Sequence, residues 1–154
     1  MATVICAIDK EIDGNRPETR PRAKGKIRLA AKKFPLRVLV VDDEPLIRWS
    51  VAESLSDLGY DIEQASDANS ALRKVTTSSL PYDVVVLDLR LPDMCDLSLL
   101  ATLRQLMPRA RLVLMTAFGT PEILSDARMI GAEVINKPFE LDELTRLVTA
   151  AESR

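Results

Sequence analysis

Residues 37–45 read RVLVVDDEP, an apolar run that ends in two aspartates, a glutamate and a proline. An apolar run without polar alternation is typical of a strand buried on both faces of a sheet. Pro45 suits the first turn of a helix, and Ile47, Val51 and Leu55 follow it at helical spacing. The segment therefore predicts a buried strand that passes through an acidic turn into a helix.

Four further strand–helix pairs follow along the chain. Strands are predicted at 37–41, 60–65, 84–87, 112–115 and 133–136. The second helix is predicted at 67–77, and the last runs from Leu141 to the C-terminus. The first, third and fourth helices are predicted to end at Gly59, Pro108 and Gly131. The apolar face of the third helix is marked by Leu99, Leu103 and Leu106. Strands that alternate with helices in this way call for a parallel sheet with helices on both faces.

Four of the predicted strands end in side chains that can do chemistry: Asp42-Asp43, Asp88, Thr116 and Lys137. The carboxyl ends of parallel strands meet at one edge of a sheet, where ligands bind. Clustered carboxylates raise one another's pKa, and a hard cation such as Mg²⁺ relieves their repulsion. A carboxylate beside such a metal can attack a phosphoryl group. Each residue alone is explained as a helix cap, a turn residue or a surface charge, but their shared placement favours a site.

Composition excludes several function classes. The chain has 154 residues, which suggests one domain, and it contains no histidine. The absence of histidine excludes Ser-His-Asp and Cys-His catalysis, most zinc sites and a phosphohistidine on this chain. Cys6 and Cys95 form no disulfide framework, and the sequence shows no secretory signal or membrane-spanning run. We therefore expect a cytoplasmic protein with no membrane contact.

Charge divides the chain into two parts. Residues 1–35 carry nine basic and four acidic side chains, whereas 36–154 carry twelve basic and nineteen acidic ones. From Asn15 to Lys33 the chain carries eight basic residues and one glutamate, with too little apolar area to offset the entropy of ordering, which predicts a flexible extension. The predicted domains are thus a basic N-terminal extension at 1–35 and a folded domain at 36–154.

From Leu36 onward the sequence resembles the receiver domain of bacterial two-component response regulators. The motifs that carry this resemblance are VLVVDDEP at 38–45, DLRLP at 88–92, MTA at 115–117 and KPF at 137–139. The resemblance implies a flavodoxin-like fold of five parallel strands in the order 2-1-3-4-5. It also implies that Asp88 accepts a phosphoryl group from a sensor histidine kinase or a histidine phosphotransfer protein.

The same resemblance implies a magnesium site. Asp42 and Asp43 correspond to the family's acidic pair, with Asp43 a direct ligand of Mg²⁺ and Asp42 acting largely through water. Asp88 and the backbone carbonyl of Arg90 complete the set of metal ligands.

Switching and lifetime are further implications of the resemblance. Thr116 corresponds to the switch hydroxyl and Lys137 to the phosphate-binding lysine, whose bond to the following proline is often cis. The aromatic residue that often follows the switch is replaced here by Val134. Arg90 and Phe118 occupy positions that tune the lifetime of the phosphorylated state, and a bulky Phe118 predicts slow decay.

The resemblance also implies how the protein acts. We expect a phosphoacceptor signalling domain rather than a turnover enzyme, acting as a stand-alone receiver on an output protein that the sequence does not identify. A homodimer through the fourth helix, fifth strand and fifth helix is a further expectation.

Three alternatives remain. A haloacid-dehalogenase phosphatase uses the same side chains, but its nucleophile precedes its acidic pair, the reverse of the order here. A nucleic-acid-binding protein could use the basic segment 1–35, but Phe34 is its one aromatic residue, so base stacking is not expected and a solvated tail with no nucleic-acid partner is favoured. A binding module that never takes a phosphoryl group is the third.

Overall fold

The computed structural model describes residues 35–150, which form one parallel sheet with helices on both faces. The elements are β1 (Arg37–Val41), α1 (Pro45–Asp57), β2 (Asp61–Ala65), α2 (Ala68–Thr77), β3 (Val84–Asp88), α3 (Ser98–Leu106), β4 (Arg111–Thr116), α4 (Pro121–Met129), β5 (Ala132–Asn136) and α5 (Leu141–Thr149). The strand order is β2-β1-β3-β4-β5, which confirms the predicted flavodoxin-like topology. The predicted extension at 1–35, and the nucleic-acid alternative that depends on it, lie almost entirely outside the described residues.

Alternation along the central strands divides the core between the two faces of the sheet. In β1, Val38 and Val40 pack with α1 and α5, whereas Leu39 and Val41 pack with α2, α3 and α4. All four side chains are fully buried. Strands covered on both faces explain why the sequence shows continuous apolar runs rather than a polar alternation.

Helix ends agree closely with the sequence signals. Gly59 and Gly131 follow α1 and α4 with φ values of +88° and +90°, a conformation that glycine adopts without strain. The side chain of Asp67 caps α2 by accepting a hydrogen bond from the Ser70 amide. Within residues 35–150, no helix is both long and apolar enough to cross a bilayer.

Several predicted bounds shift by one residue, and one predicted core position was wrong. Strand β2 begins at Asp61, one residue later than predicted, because Tyr60 turns into the core beneath α1. Leu106, predicted on the apolar face of α3, is 48% exposed, and the next residue, Met107, is buried in its place. The chain leaves the helix at this point, so the helical spacing no longer determines which side chain faces the core.

An ionic network closes the amino edge of the sheet around Arg37, the first residue of β1. The Arg37 guanidinium donates to Asp61 Oδ2 at 3.0 Å and to Glu63 Oε1 at 2.6 Å. It also stacks on the ring of Tyr82, with 4.7 Å from Cζ to the ring centre. Lys74 Nζ donates to the second oxygen of Glu63 at 3.0 Å. This network ties the starts of β1 and β2 to the loop before β3.

Candidate functional site

Neighbouring strands bring the acidic residues to the opposite, carboxyl edge of the sheet. Val41 pairs with Leu87, so the residues that follow them, Asp42 and Asp88, come side by side. Carboxylate oxygens of Asp42, Asp43 and Asp88 lie within 4.8 Å of one another. The sequence prediction that these three side chains meet is therefore matched by the geometry.

Burial distinguishes this edge from the rest of the domain. Within residues 35–150 the buried polar or charged residues are Asp42, Asp88 and Thr116, and all three stand at the carboxyl ends of strands. Burying a charged group costs free energy unless a partner compensates it. The concentration of such groups at one edge indicates a candidate binding or catalytic site there.

Lys137 bridges two of the carboxylates. Its ammonium Nζ donates to Asp42 Oδ2 at 2.8 Å and to Asp88 Oδ2 at 2.9 Å, and it lies 3.8 Å from Glu44 Oε1. Its backbone amide donates to the carbonyl of Thr116 at 2.8 Å, and its bond to Pro138 is cis, as predicted. Backbone contacts thus anchor the residue whose side chain enters the acidic cluster.

The electrostatics of Asp88 and Lys137 are coupled. Burial raises the pKa of the Asp88 carboxyl, and this effect outweighs the lowering by the Lys137 ammonium. Burial alone would lower the pKa of Lys137, but its hydrogen bonds to Asp42 and Asp88 raise that pKa above its ordinary value. Lys137 therefore stays charged at neutral pH, and Asp88 is a more basic carboxylate than an exposed aspartate.

The two members of the acidic pair differ in their surroundings. Asp42 is fully buried, and its Oδ1 accepts a hydrogen bond from the Glu44 amide at 2.8 Å. Arg48, in the first turn of α1, donates to the backbone carbonyl of Asp42 at 2.6 Å. Asp43 is exposed instead. Asp42 is thus held in place by its neighbours, whereas Asp43 is accessible.

A small cavity lies beside these groups. Its volume is about 180 Å³, and its lining residues are Asp43, Glu44, Asp88, Arg90, Ala117, Phe118 and Lys137. Carboxylate and carbonyl oxygens are the ligands that Mg²⁺ prefers, and one or two carboxylates suffice because the ion keeps several waters. Asp43 and Asp88 at the cavity, with Asp42 behind them, therefore fit a magnesium ion.

Thr116 ends β4 beside the site and is 2% exposed. Its Oγ1 accepts a hydrogen bond from the Phe118 amide at 3.2 Å, which ties the hydroxyl to the loop that follows the strand. Val134, the second predicted switch position, is half-buried and packs against the core on the side of α2, α3 and α4. The roles of both residues in switching stay predictions.

Arg90 and Phe118, predicted separately as lifetime positions, contact each other. The guanidinium carbon of Arg90 lies 4.8 Å from the centre of the Phe118 ring, a cation–π distance. Phe118 is 68% exposed, so the pair sits on the solvent side of the cavity. Sequence reasoning missed this contact because the two residues belong to loops that are remote in sequence.

Two further residues near the site were not identified from the sequence. Arg48 supports the backbone of Asp42, as described above, and its position one turn into α1 carried no signal of that role. Asp93, in the loop after β3, accepts hydrogen bonds from the start of α2. Both make polar contacts with the backbone of other segments, which hydrophobic periodicity does not report.

The sequence matches a known family over most of its length. The family model described as the response regulator receiver domain matches residues 38–149. The chain is 33% identical over 116 residues to the regulatory protein AtoC of Escherichia coli K12, covering 75% of this chain and 25% of AtoC. It is 31% identical over 109 residues to sporulation initiation phosphotransferase F of Bacillus subtilis 168, covering 70% of this chain and 86% of that protein.

A solved structure shows the same architecture. The chemotaxis response regulator CheY4 of Vibrio cholerae superposes with a TM-score of 0.68 and 28% sequence identity, covering 76% of this chain and 98% of CheY4. The curated relatives differ in size, and the chain spans a quarter of the length of AtoC but most of the sporulation phosphotransferase.

Proposed function

This chain belongs to the response regulator receiver family of two-component systems, and on that premise we propose that Asp88 accepts a phosphoryl group from a sensor histidine kinase or a histidine phosphotransfer protein. The observation that carries the proposal is the buried Asp88 carboxylate, 2.9 Å from the Lys137 ammonium and beside a cavity that Asp43 also lines. A nucleophile, a cation and an acidic metal-binding pair are thus gathered around a space large enough for a phosphoryl group.

The proposed transfer uses these groups directly. An oxygen of Asp88 attacks the phosphorus of a phosphohistidine, the P–N bond breaks, and the leaving imidazole takes up a proton. The Lys137 ammonium neutralises charge on the transferred oxygens, and phosphoryl transfer depends mainly on such positioning and charge compensation. A magnesium ion held by Asp42, Asp43, Asp88 and the Arg90 carbonyl would supply further charge neutralisation.

Slow decay of the phosphorylated state is part of the proposal. Hydrolysis of the acyl phosphate requires water to approach the phosphorus opposite the Asp88 oxygen. The stacked side chains of Arg90 and Phe118 stand on the solvent side of the cavity and restrict that approach. We therefore place this receiver among those whose signal persists, and we treat the chain as a signalling domain rather than a turnover enzyme.

An apolar groove next to the site is the surface that we assign to the phosphodonor protein. The groove is lined by Leu46, Ile47 and Phe139, and it shares Glu44 and Lys137 with the phosphoacceptor cavity. A protein that delivers a phosphoryl group to Asp88 has to cover this region. Its apolar side chains offer contact area immediately beside the reacting atoms.

We propose that the output follows from a population shift. Thr116 moves toward the phosphoryl group and changes the face formed by α4, β5 and α5, which then binds an output protein or a second copy of the chain. Val134 replaces the aromatic residue that often couples to this movement, so the coupling here uses other side chains. Cytoplasmic location and action as a stand-alone receiver remain predictions.

The intact mass of the protein tests the proposal. The wild-type chain and Asp88→Asn are incubated with phosphoramidate, with Mg²⁺ and with EDTA. We expect the wild type to gain the mass of one phosphoryl group in the presence of Mg²⁺ only, and Asp88→Asn to gain none. Absence of the gain in the wild type would favour a binding module that works without phosphorylation.

A further inference from the structure

The loop that links β3 to α3 carries Arg90 and has a defined shape. Leu91 and Met94 exchange two backbone hydrogen bonds, from the Leu91 amide at 2.9 Å and from the Met94 amide at 3.2 Å. Pro92 and Asp93 form the exposed tip of this tight turn. The tip is therefore closed by backbone hydrogen bonds onto Leu91, the residue next to Arg90.

Asp93 joins the tip of this turn to helix α2. Its Oδ1 accepts from the Ala68 amide at 2.8 Å, and its Oδ2 accepts from the Asn69 amide and from Asn69 Nδ2, both at 2.9 Å. These donors also hold the pKa of the Asp93 carboxyl below its ordinary value. Asp93 is therefore ionised at neutral pH, in the state that binds the positive end of a helix most strongly.

The same helix end already has a local cap. Asp67 accepts from the Ser70 amide at 2.7 Å, which is the usual side-chain cap of an α-helix. The second carboxylate, that of Asp93, lies 25 residues after Ala68 in the chain, so it links two elements in addition to capping one. Helix α2 thus serves as a fixed support for the loop after β3.

We propose that Asp93 is a positioning residue for the magnesium site, holding the turn at 91–94 so that the Arg90 carbonyl stands beside the phosphoacceptor. The inference rests on the proposed function. Two contacts connect Arg90 to the site: its amide donates to Asp88 Oδ1 at 3.2 Å, and its guanidinium stacks on Phe118 at 4.8 Å. Without the hydrogen bonds from Asp93 to α2, the loop is no longer held in the position at which Arg90 makes both contacts.

The two capping carboxylates provide a matched experiment. Asp93→Ala and Asp67→Ala each remove one carboxylate from the start of α2, so both should lower the urea concentration at the unfolding midpoint by a similar amount. Isothermal titration of the full chain with Mg²⁺ should separate them. We expect Asp93→Ala to raise the Mg²⁺ dissociation constant about tenfold and Asp67→Ala to leave it within twofold of wild type.

A conservative substitution adds a graded readout. Asp93→Asn keeps one acceptor oxygen of the two, so its Mg²⁺ affinity should fall between those of wild type and Asp93→Ala. Unchanged affinity in Asp93→Ala, or an equal loss in Asp67→Ala, would overturn the inference while the proposed function stands. A wild-type chain that binds no Mg²⁺ would overturn the metal site of the proposed function and this inference together.

Discussion

The two edges of the sheet hold ionic clusters of opposite character. At the amino edge, the Arg37 guanidinium donates to Asp61 and Glu63, and Lys74 adds a second cation to Glu63. At the carboxyl edge, three carboxylates lie within 4.8 Å of one another, and the Lys137 ammonium bridges two of them. The four side chains named at the first edge carry two positive and two negative charges, whereas negative charge is in excess at the second.

This difference separates a cluster that supports the fold from one that we propose binds a cation. A balanced network ties neighbouring strands together and has no charge left to attract an ion. An excess of buried carboxylates costs stability until a cation or a chemical change relieves it. Excess charge combined with burial is therefore the feature on which the proposed site at the carboxyl edge rests.

The largest expected effect comes from removing the cation of the carboxyl edge. Lys137→Met should lower the rate of phosphorylation by phosphoramidate about 100-fold, because a preorganised charge on the transferred oxygens is lost. Arg37→Met, a similar change at the other edge, should retain a rate within twofold of wild type. The rates are measured by intact mass at several times, and near-normal phosphorylation of Lys137→Met would break the comparison.

At the amino edge, the main expected effect of a substitution is on the free energy of unfolding and not on phosphorylation. Arg37→Met should lower the free energy of unfolding by roughly 2 kcal/mol, because Asp61 and Glu63 lose a shared partner; the exposure of Asp61 limits the loss. Urea unfolding in EDTA measures this effect. A variant as stable as wild type would show that the network at the amino edge contributes no stability.

The lifetime of the phosphorylated state tests the solvent side of the carboxyl edge. Phe118→Ala should speed loss of the phosphoryl group roughly fivefold, because the stacked pair with Arg90 no longer restricts water. Arg90→Ala should also speed the decay. The increase in decay rate in the double variant should not exceed the product of the two single-variant fold increases, because both substitutions disrupt the same stacked pair. An unchanged decay rate in Phe118→Ala would contradict the proposal that the Phe118 ring restricts the approach of water.

The smallest expected effect concerns pH. Burial raises the pKa of Asp88 in the folded state, despite the lowering by Lys137, so the ionised carboxylate costs stability above that pKa. Asp88→Asn should therefore raise the free energy of unfolding at neutral pH in EDTA, by less than the Arg37→Met loss. The gain should shrink as the pH falls through the folded pKa toward the unfolded value, and a gain that grows in acid would contradict the assigned direction.

The fold and the residues at the carboxyl edge were predictable for a shared physical reason. Each of Asp42, Asp88 and Thr116 follows an unbroken apolar run, and parallel strands place such positions at one edge. Lys137 comes one residue after β5, so it reaches the same edge. Unbroken apolar runs and helix end signals were enough to bring these groups to one edge, whereas the strand order and the role of each residue came from the resemblance to receiver domains.

Contacts between loops were not predictable in the same way. The stacking of Arg90 on Phe118 and the bonds from Asp93 to α2 depend on how irregular segments fold over the sheet. No repeating pattern in the sequence specifies those paths. The misplaced Leu106 has a related cause, because a helical repeat loses its meaning where the helix ends.

Titration with Mg²⁺ tests most directly the claim that excess negative charge defines the carboxyl edge as the functional site. Isothermal titration would compare wild type, Asp43→Asn and Arg37→Met at neutral pH. We expect one Mg²⁺ per chain in wild type and in Arg37→Met, and at least tenfold weaker binding in Asp43→Asn. Equal affinity in wild type and Asp43→Asn, or no binding by wild type, would contradict that claim.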